Sequence, residues 1–252
     1  MVGAKKTAEQ GSLTDIDGNT YPWVKIGEQY WMAQNLRATR YASGATIPYV
    51  KDSDEWDALK DYGKAYCFYD TAGTGYKQYS VEKFGALYTW AAAVNKQIDV
   101  PESKHVQGVC PTGWHLPSDE EWTQMERYLA ENGFAYDTTM YDGTETDTEA
   151  REKIALSLAT NSGWYSYRDL GSVGNTMKSK KQNLSAFSGL PAGYRHYNGI
   201  YGHIGTIGIW WTSTEQSKSL ATLRFIGSKY TYVSRLSYET KYGMAVRCIR
   251  DY

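Results

Sequence analysis

The chain has 252 residues, of which 41% are hydrophobic and 22% charged, and its formal net charge is −1. This composition excludes wholesale disorder, and the even charge balance argues against a protein that binds nucleic acid or anionic membranes with its whole surface. Aromatic usage is uneven, with 23 Tyr and 9 Trp against only 5 Phe. Because tyrosine has a polar end, this excess predicts either half-buried strand positions or rings that face a ligand.

The N-terminal part of the chain predicts strands. Residues 1–12 are polar and are predicted to be a disordered or tag-like N-terminus, followed by a single domain at 13–252. The pair Asp17-Gly18 separates two strand-like runs, and this dipeptide is typical of a tight hairpin turn. A third strand is predicted at 29–32. The first residues contain no apolar signal-peptide core, and no apolar run reaches the roughly 18 residues that a membrane span needs.

Four helices are predicted in the middle of the chain, at 53–60, 80–94, 118–131 and 147–159. The helix at 80–94 is predicted from one apolar face, made of Phe84, Leu87, Tyr88 and Ala91. The helix at 118–131 has the clearest start, because Ser118 and Glu121 have the spacing of a capping box.

The C-terminal part begins with a long region, 160–218, that has little regularity and many Gly, Ser and Tyr residues. Such a region is typical of a functional loop. Strand character returns at 220–226, 230–236 and 244–249. Strands at both chain ends with helices between them predict one α+β domain with a mixed or antiparallel sheet.

The chain has three cysteines, which are Cys67, Cys110 and Cys248. They are too few for a disulfide scaffold and lack the Cys-x-x-Cys spacing of zinc or redox sites, and the odd count leaves at least one free thiol. A disulfide between Cys110 and Cys248 would close a very long loop and contribute about 4–5 kcal/mol in the chain-entropy model. The sequence alone leaves the pairing open.

Signals for catalysis or metal binding are weak. The four histidines, His105, His115, His196 and His203, have neither His-x-x-x-His spacing nor a carboxylate cluster beside them in the sequence. No G-x-S-x-G motif is present, and the glycine-rich segment 202–208 lacks the Lys-Ser/Thr pair of a phosphate loop. The segment 15–19 is interpreted as a hairpin turn, and the acidic segment 137–149 lacks the EF-hand pattern of calcium sites. We therefore predict no enzyme, no cofactor and no metal site, and the sequence leaves calcium binding open.

The segment 190–250 combines basic and tyrosine residues. Period-two alternation places Tyr230, Tyr232, Ser234 and Leu236 on one strand face and Thr231, Val233 and Arg235 on the other. Because the basic residues are spaced singly along this segment, protein or glycan recognition is favoured over nucleic-acid binding. The alternative is that Tyr230 and Tyr232 fill the core and leave Arg235 outside.

Six motifs in a fixed order resemble the Fibrobacter succinogenes major paralogous domain. They are YPWVKIGEQYWMAQNLR at 21–37, FGALYTWAAA at 84–93, CPTGWHLPSDEEW at 110–122, FSGLPAGYR at 187–195, WWTSTE at 210–215 and GMAVRC at 243–248. The resemblance covers about residues 15–251 and implies a C-type-lectin-like fold, related to the formylglycine-generating enzymes, with two to four helices and a long irregular loop region. Formylglycine generation needs a cysteine pair near the last motif, where only Cys248 stands. The Glu-Pro-Asn and Trp-Asn-Asp triplets of calcium-dependent lectins are also missing.

The last sixty residues also resemble the variable region of proteins diversified by retroelements, in which scaffold residues alternate with residues from mutable adenine-rich codons. Lys229 and Glu239 cannot arise from such codons by adenine substitution. The scaffold-like residues are Trp210, Trp211, Arg224, Val233, Arg235, Lys241, Gly243, Val246, Arg247 and Cys248. The resemblance implies that the ligand-binding residues are His196, Tyr197, Tyr201, His203, Thr206, Ile209, Phe225, Tyr230, Tyr232, Ser234, Leu236 and Tyr238.

Together these observations predict a non-enzymatic recognition or adhesion domain that engages a protein or glycan on a cell surface through its Tyr-rich C-terminal segment. The resemblance implies an extracellular or cell-surface location, on a lipoprotein whose signal has been removed or on a phage particle. Two alternatives remain open. One is an inactive or unrecognised enzyme of the formylglycine-generating fold, and the other is a structural component such as a phage-tail or pilus-tip protein.

Overall fold

The computed structural model describes residues 9–70, 81–95, 105–137, 147–175 and 179–252. The strands of this part of the chain are Gln10–Thr14 (β1), Thr20–Ile26 (β2), Gln29–Met32 (β3), Tyr66–Phe68 (β4), Ala86–Tyr88 (β5), Trp114–His115 (β6), Tyr194–Arg195 (β7), Tyr201–Gly202 (β8), Ile207–Ser217 (β9), Leu220–Gly227 (β10), Ser234–Glu239 (β11) and Ile249–Arg250 (β12). The helices are Ser53–Asp57 (α1), Val81–Phe84 (α2), Trp90–Val94 (α3), Asp119–Glu131 (α4), Asp147–Arg151 (α5) and Ala155–Leu158 (α6). Every ladder between these strands is antiparallel, which confirms the α+β class.

A five-stranded sheet with the order β1-β2-β3-β12-β6 brings strands from both halves of the chain together. The predicted hairpin between β1 and β2 is confirmed. The Asp15 carboxylate accepts hydrogen bonds from the backbone N–H groups of Asp17 and Asn19, and Gly18 has a φ of +83°, which glycine adopts without steric cost. Strand β1 begins at Gln10, so residues 10–12 are not disordered as predicted, whereas residues 1–8 lie outside the described part.

A three-stranded sheet has the order β11-β10-β9. Its strand β9 lies within the region predicted to be irregular, so that prediction is wrong for residues 207–217. Strand β11 begins at Ser234 rather than at Tyr230. The reason is that the backbone just before Ser234 bonds to other segments: Val173 N–H donates to the Tyr230 carbonyl, and Val233 N–H donates to the Arg151 carbonyl.

Helices α1 and α4 confirm two predictions, and in α4 the Ser118 hydroxyl and the Glu121 carboxylate form the predicted capping box. A continuous helix over 80–94 is wrong, because Gly85 has a φ of +77° and ends α2, after which β5 pairs with β4. The predicted helix at 147–159 is also divided, into α5 and α6. The described residues therefore hold six short helices instead of two to four, and none of these is long and apolar enough to cross a membrane.

Two apolar cores lie on opposite faces of the three-stranded sheet. Along β9, Ile209 and Trp211 belong to the first core and Trp210 to the second. This alternation follows from the strand backbone, which directs successive side chains to opposite faces. The second core also holds Trp31 and Trp122, whose ring centroids are 4.9 Å apart.

A disulfide joins Cys110 to Cys248, with an Sγ–Sγ distance of 2.05 Å, and confirms the pairing that the sequence left open. It links the segment before β6 to the segment before β12. The third cysteine, Cys67, is a free thiol that is completely buried in β4. Burial raises the pKa of this thiol.

Candidate functional site

Six rings on the outer side of the first core form one continuous group, which we call the aromatic cluster. Its members are Tyr194, His196, Tyr197, His203, Tyr238 and Tyr242. The ring of Tyr242 is central, because its centroid lies 4.8 Å from that of His196, 5.2 Å from Tyr238, and 5.7 Å from both Tyr194 and Tyr197. The His203 ring stacks on Tyr194 at 5.3 Å. All six side chains are half-buried or exposed, so the cluster has an open face.

A tight loop after β7 carries His196 and Tyr197. The His196 N–H donates to the Ile200 carbonyl at 2.8 Å, and the Gly199 N–H donates back to the His196 carbonyl at 2.9 Å. The neighbouring Arg195 is fully buried and donates to the Gly199 carbonyl and to the carbonyls of residues 50–52. This anchored loop fixes one half of the cluster.

Strand β11 carries the other half of the cluster. Tyr238 lies opposite Ala221 of β10, and Tyr242 follows in a turn closed by a hydrogen bond from its N–H to the Glu239 carbonyl. The register places Ser234 opposite Phe225 and Leu236 opposite Leu223, so Ser234, Leu236 and Tyr238 share one face of β11.

A second group of rings continues this face beyond Ser234. The centroids of Phe225 and Tyr230 are 6.0 Å apart, and those of Tyr230 and Tyr232 are 4.8 Å apart. The Lys229 ammonium lies 5.0 Å from the centre of the Tyr230 ring. Tyr230 and Tyr232 therefore border the same surface as β11, although they precede the strand in which alternation placed them.

Ten of the twelve predicted ligand-binding residues lie on or beside this surface. Besides the rings, Leu236 is 42% exposed, Ser234 is half-buried, and the hydroxyl of half-buried Thr206 donates to the His203 carbonyl. Ile209 is a correction: it is only 2% exposed, because its face of β9 is covered by the first core. Tyr201 is half-buried, and its ring packs 4.9 Å from that of Tyr69, so it supports the anchored loop.

Two hydroxyl groups of the aromatic cluster, those of Tyr194 and Tyr242, have raised pKa values and are therefore neutral at pH 7. Burial raises the pKa of Tyr194. It also raises the pKa of Tyr242 to about 12, together with the nearby Tyr194 and Glu239 groups. Neutral phenols both donate and accept hydrogen bonds, so the surface offers a ligand apolar ring faces and neutral polar edges.

The scaffold-like residues of the C-terminal segment are mainly buried. Arg235 pairs with Asp119 at 2.7 Å, and the Lys241 ammonium donates to the Asp57 carbonyl at 2.7 Å. The buried members of the set are Trp210, Trp211, Arg224, Val233, Gly243, Val246, Arg247 and Cys248.

A second site, which the sequence did not predict, lies where β6, the start of α4 and the end of β12 meet. We call it the histidine–carboxylate cluster, made of His105, His115, Glu121, Asp251 and Tyr252. His115 is buried, and its Nε2 and Nδ1 atoms lie 2.7 Å from Glu121 Oε1 and from Asp251 Oδ1. The His105 ring stacks on that of His115 at 3.8 Å.

Burial lowers the pKa of His115, but its hydrogen bonds to Glu121 and Asp251 outweigh this effect, so the pKa is raised on balance. Burial raises the pKa of Glu121, but the bonds from His115 and from the Ser118 N–H outweigh it and lower the pKa to about 2. His105, His115 and Glu121 each offer one ligand atom, all within 4.8 Å of one another. Sequence reasoning missed this group because His105, His115 and Glu121 lack a regular metal-site spacing, and because Asp251 and Tyr252 join them only through the pairing of β6 with β12.

The two sites and the fold were compared with known proteins. No curated protein and no solved structure matches the chain. A family model matches residues 24–250, which include the disulfide, the aromatic cluster, and His105, His115 and Glu121 of the histidine–carboxylate cluster. The chain therefore belongs to the Fibrobacter succinogenes major domain family.

Proposed function

We propose that the protein is a non-enzymatic ligand-binding domain that engages a protein or glycan through the aromatic cluster and the adjoining face of β11. The observation that carries this proposal is the central position of Tyr242, whose ring touches four other rings of an open surface. The cluster is built on hydrogen-bonded strands and an anchored loop, so its rings are held in place before a ligand arrives.

Rigid tyrosine rings suit recognition, because each gives a large contact area and loses little conformational entropy on binding. Tyrosine is also enriched among the residues that dominate binding energy at protein interfaces. The neutral hydroxyl groups and the imidazoles of His196 and His203 supply the hydrogen bonds that a protein backbone or a sugar requires.

We further propose that the domain has a C-type-lectin-like fold and that its C-terminal segment is diversified by a retroelement. The division of that segment supports the second point, since the scaffold-like residues are mainly buried and ten of the twelve variable-like residues line a surface. A near-copy of the coding sequence for residues 195–250 beside a reverse transcriptase gene would test it. A genome in which this coding sequence has neither a near-copy nor a neighbouring reverse transcriptase gene would count against diversification.

The proposed location is the cell surface or a particle outside the cytoplasm. The Cys110–Cys248 disulfide supports this location, because structural disulfides form and persist mainly in oxidising compartments.

The binding proposal is tested by replacing three rings together, in the variant Tyr197→Ser/Tyr238→Ser/Tyr242→Ser. A ligand is first identified by screening the wild-type protein against immobilised glycans and cell-surface proteins, and its affinity is then measured by titration calorimetry. We expect the variant to bind about 100-fold more weakly, because ring contacts at the centre of an interface dominate its energy.

The matched control is Tyr128→Ser. Tyr128 is a half-buried tyrosine of α4 that packs near Phe134 beside the second core, and its loss should leave the affinity unchanged. Circular dichroism spectra establish that each variant is folded. Wild-type affinity in a folded triple variant contradicts the proposal.

A further inference from the structure

We propose that the histidine–carboxylate cluster is a binding site for a divalent transition-metal ion of the zinc type. The ligands are Nε2 of His115, Oε1 of Glu121 and an imidazole nitrogen of His105. This site is distinct from the aromatic cluster, so either proposal can fail without the other.

The distances between the ligand atoms suit a small ion. Around a tetrahedral zinc ion with bonds of about 2.0–2.1 Å, neighbouring ligand atoms are about 3.3 Å apart. Here His115 Nε2 lies 2.7 Å from Glu121 Oε1, His105 Nε2 lies 4.0 Å from the same oxygen, and the whole set falls within 4.8 Å. These separations lie on both sides of the ideal value. The His105 ring is stacked on that of His115 with an interplanar angle of 14°, so the partly exposed His105 side chain must turn for its nitrogen to reach the same ion.

A second layer of contacts already orients the ligands. Asp251 Oδ1 holds Nδ1 of His115 at 2.7 Å, which leaves Nε2 directed at Glu121, and the Tyr252 hydroxyl donates to Glu121 Oε1 at 2.7 Å. A carboxylate on the far nitrogen is the usual partner of a metal-binding histidine, where it fixes the ring and strengthens the ligand.

A cavity of about 270 Å³ opens onto the cluster and is lined by His105, His115, Glu121 and Tyr252 among others. It provides a path for the ion and room for water at a fourth coordination position. Two imidazoles and one carboxylate are a known zinc ligand set, and three protein ligands with an open position are typical of accessible zinc sites.

Binding exchanges a proton for the ion. The Nε2 proton that His115 shares with Glu121 leaves to solvent when the nitrogen binds the metal, as at other histidine sites. The other carboxylate oxygen of Glu121 still accepts the Ser118 N–H bond, measured at 2.8 Å. The start of α4 therefore stays capped while Glu121 Oε1 binds the ion.

The test is calorimetric titration of the chelator-treated 252-residue chain with Zn²⁺ alone, followed by absorption spectra with Co²⁺. We expect one tight site per chain and a Co²⁺ spectrum typical of low coordination number. The main variant is His105→Ala, since His105 is partly exposed and its removal leaves the core intact. We expect affinity to fall about tenfold or more in this variant, and about 10–100-fold in Asp251→Asn, which loses only the second-layer carboxylate.

The control variant is His196→Ala/His203→Ala, which removes the other two histidines of the chain and should keep both the affinity and the spectrum. The proposal is overturned if His105→Ala binds Zn²⁺ as tightly as the wild-type protein. It is also overturned if the control variant abolishes binding, or if the wild-type protein binds no Zn²⁺. Unfolding curves recorded without metal separate a lost ligand from a lost fold, because His105→Ala should unfold like the wild type.

Discussion

Three fully buried arginines connect segments that are distant in the chain. Arg224 pairs with Asp119 and Glu126 of α4, and Arg247 donates to the backbone carbonyls of Phe187 and Ser188. Arg195 donates to four carbonyl groups and lies 4.3 Å from the centre of the Trp56 ring. A planar guanidinium with five donors suits such a junction, because it satisfies several carbonyls at once.

Replacing Arg195 with methionine should lower the free energy of unfolding by about 3 kcal/mol, because four carbonyls would lose a charged donor in a buried place. Denaturant titration followed by circular dichroism measures this change. The matched control is Arg168→Met, at an exposed arginine, which should change stability by less than about 0.5 kcal/mol. Equal stability in the two variants would mean that the Arg195 contacts add nothing to the fold.

At the residue scale, the sequence separated two groups of residues in the C-terminal segment better than it predicted which side chains meet. The scaffold-like residues Trp210, Arg224 and Arg247 are buried, whereas ten of the twelve variable-like residues lie on or beside the open surface. The approach of Asp251 to His115 depends on how β12 pairs with β6, which no local spacing encodes. Tyr242 lies in the predicted Tyr-rich segment but was not among the predicted ligand-binding residues, because it follows the strand whose alternation was used.

The turn between β1 and β2 is held by a carboxylate that links it to a distant segment. Asp17 accepts hydrogen bonds from the Thr39 N–H and hydroxyl and pairs with Arg40 at 2.6 Å. Burial raises the pKa of Asp17, but the Thr39 bonds and the Arg40 charge outweigh it and lower the pKa below the usual value.

The stabilising contribution of Asp17 should therefore depend on pH. It is fully present above about pH 4, the ordinary pKa of aspartate, and is lost as the pH falls through the lower pKa of the folded state. Asp17→Asn should reduce the free energy of unfolding by about 1–2 kcal/mol at pH 7, and the gap to the wild type should narrow as the pH is lowered below about 4. Denaturant titrations at pH 7 and over a series of lower pH values test this, with the exposed Asp61→Asn as control. If the difference in free energy of unfolding between Asp17→Asn and the wild type does not change with pH, the carboxylate charge is not the cause of the difference.

At the element scale, the predictions that are confirmed came from local sequence motifs that are each typical of one structure. The Asp-Gly hairpin and the capping box at Ser118 are both present. The helix over 80–94 failed because Leu87 and Tyr88 are buried in β5, a short strand with every residue buried, where spacing does not distinguish helix from strand. Gly85 was the residue that indicated a break in this helix. Its positive φ and its close approach to Asn35, where a Cβ would lie 2.6 Å from that side chain, both require glycine.

Over the whole molecule, the Cys110–Cys248 disulfide constrains the unfolded chain more than any local contact, because it spans 138 residues. The chain-entropy model gives about 5 kcal/mol for a loop of this length. The variant Cys110→Ser/Cys248→Ser should lose about that much stability in denaturant titrations. Reductant should lower the wild-type stability to the level of the variant and leave the variant unchanged. A wild-type protein that is equally stable with and without reductant would contradict the estimate.

The burial of Cys67 has a consequence for how the oxidised chain assembles. Before the fold forms, three thiols allow three different single disulfides, and only one of these is native. Thiol–disulfide exchange needs an accessible thiolate as the attacking group. In the folded protein Cys67 is inaccessible and its pKa is raised, so it cannot attack the native bond. Folding thus protects the native Cys110–Cys248 disulfide from exchange with Cys67. Unfolding under oxidising conditions exposes the Cys67 thiol, which can then attack this disulfide and form a non-native one.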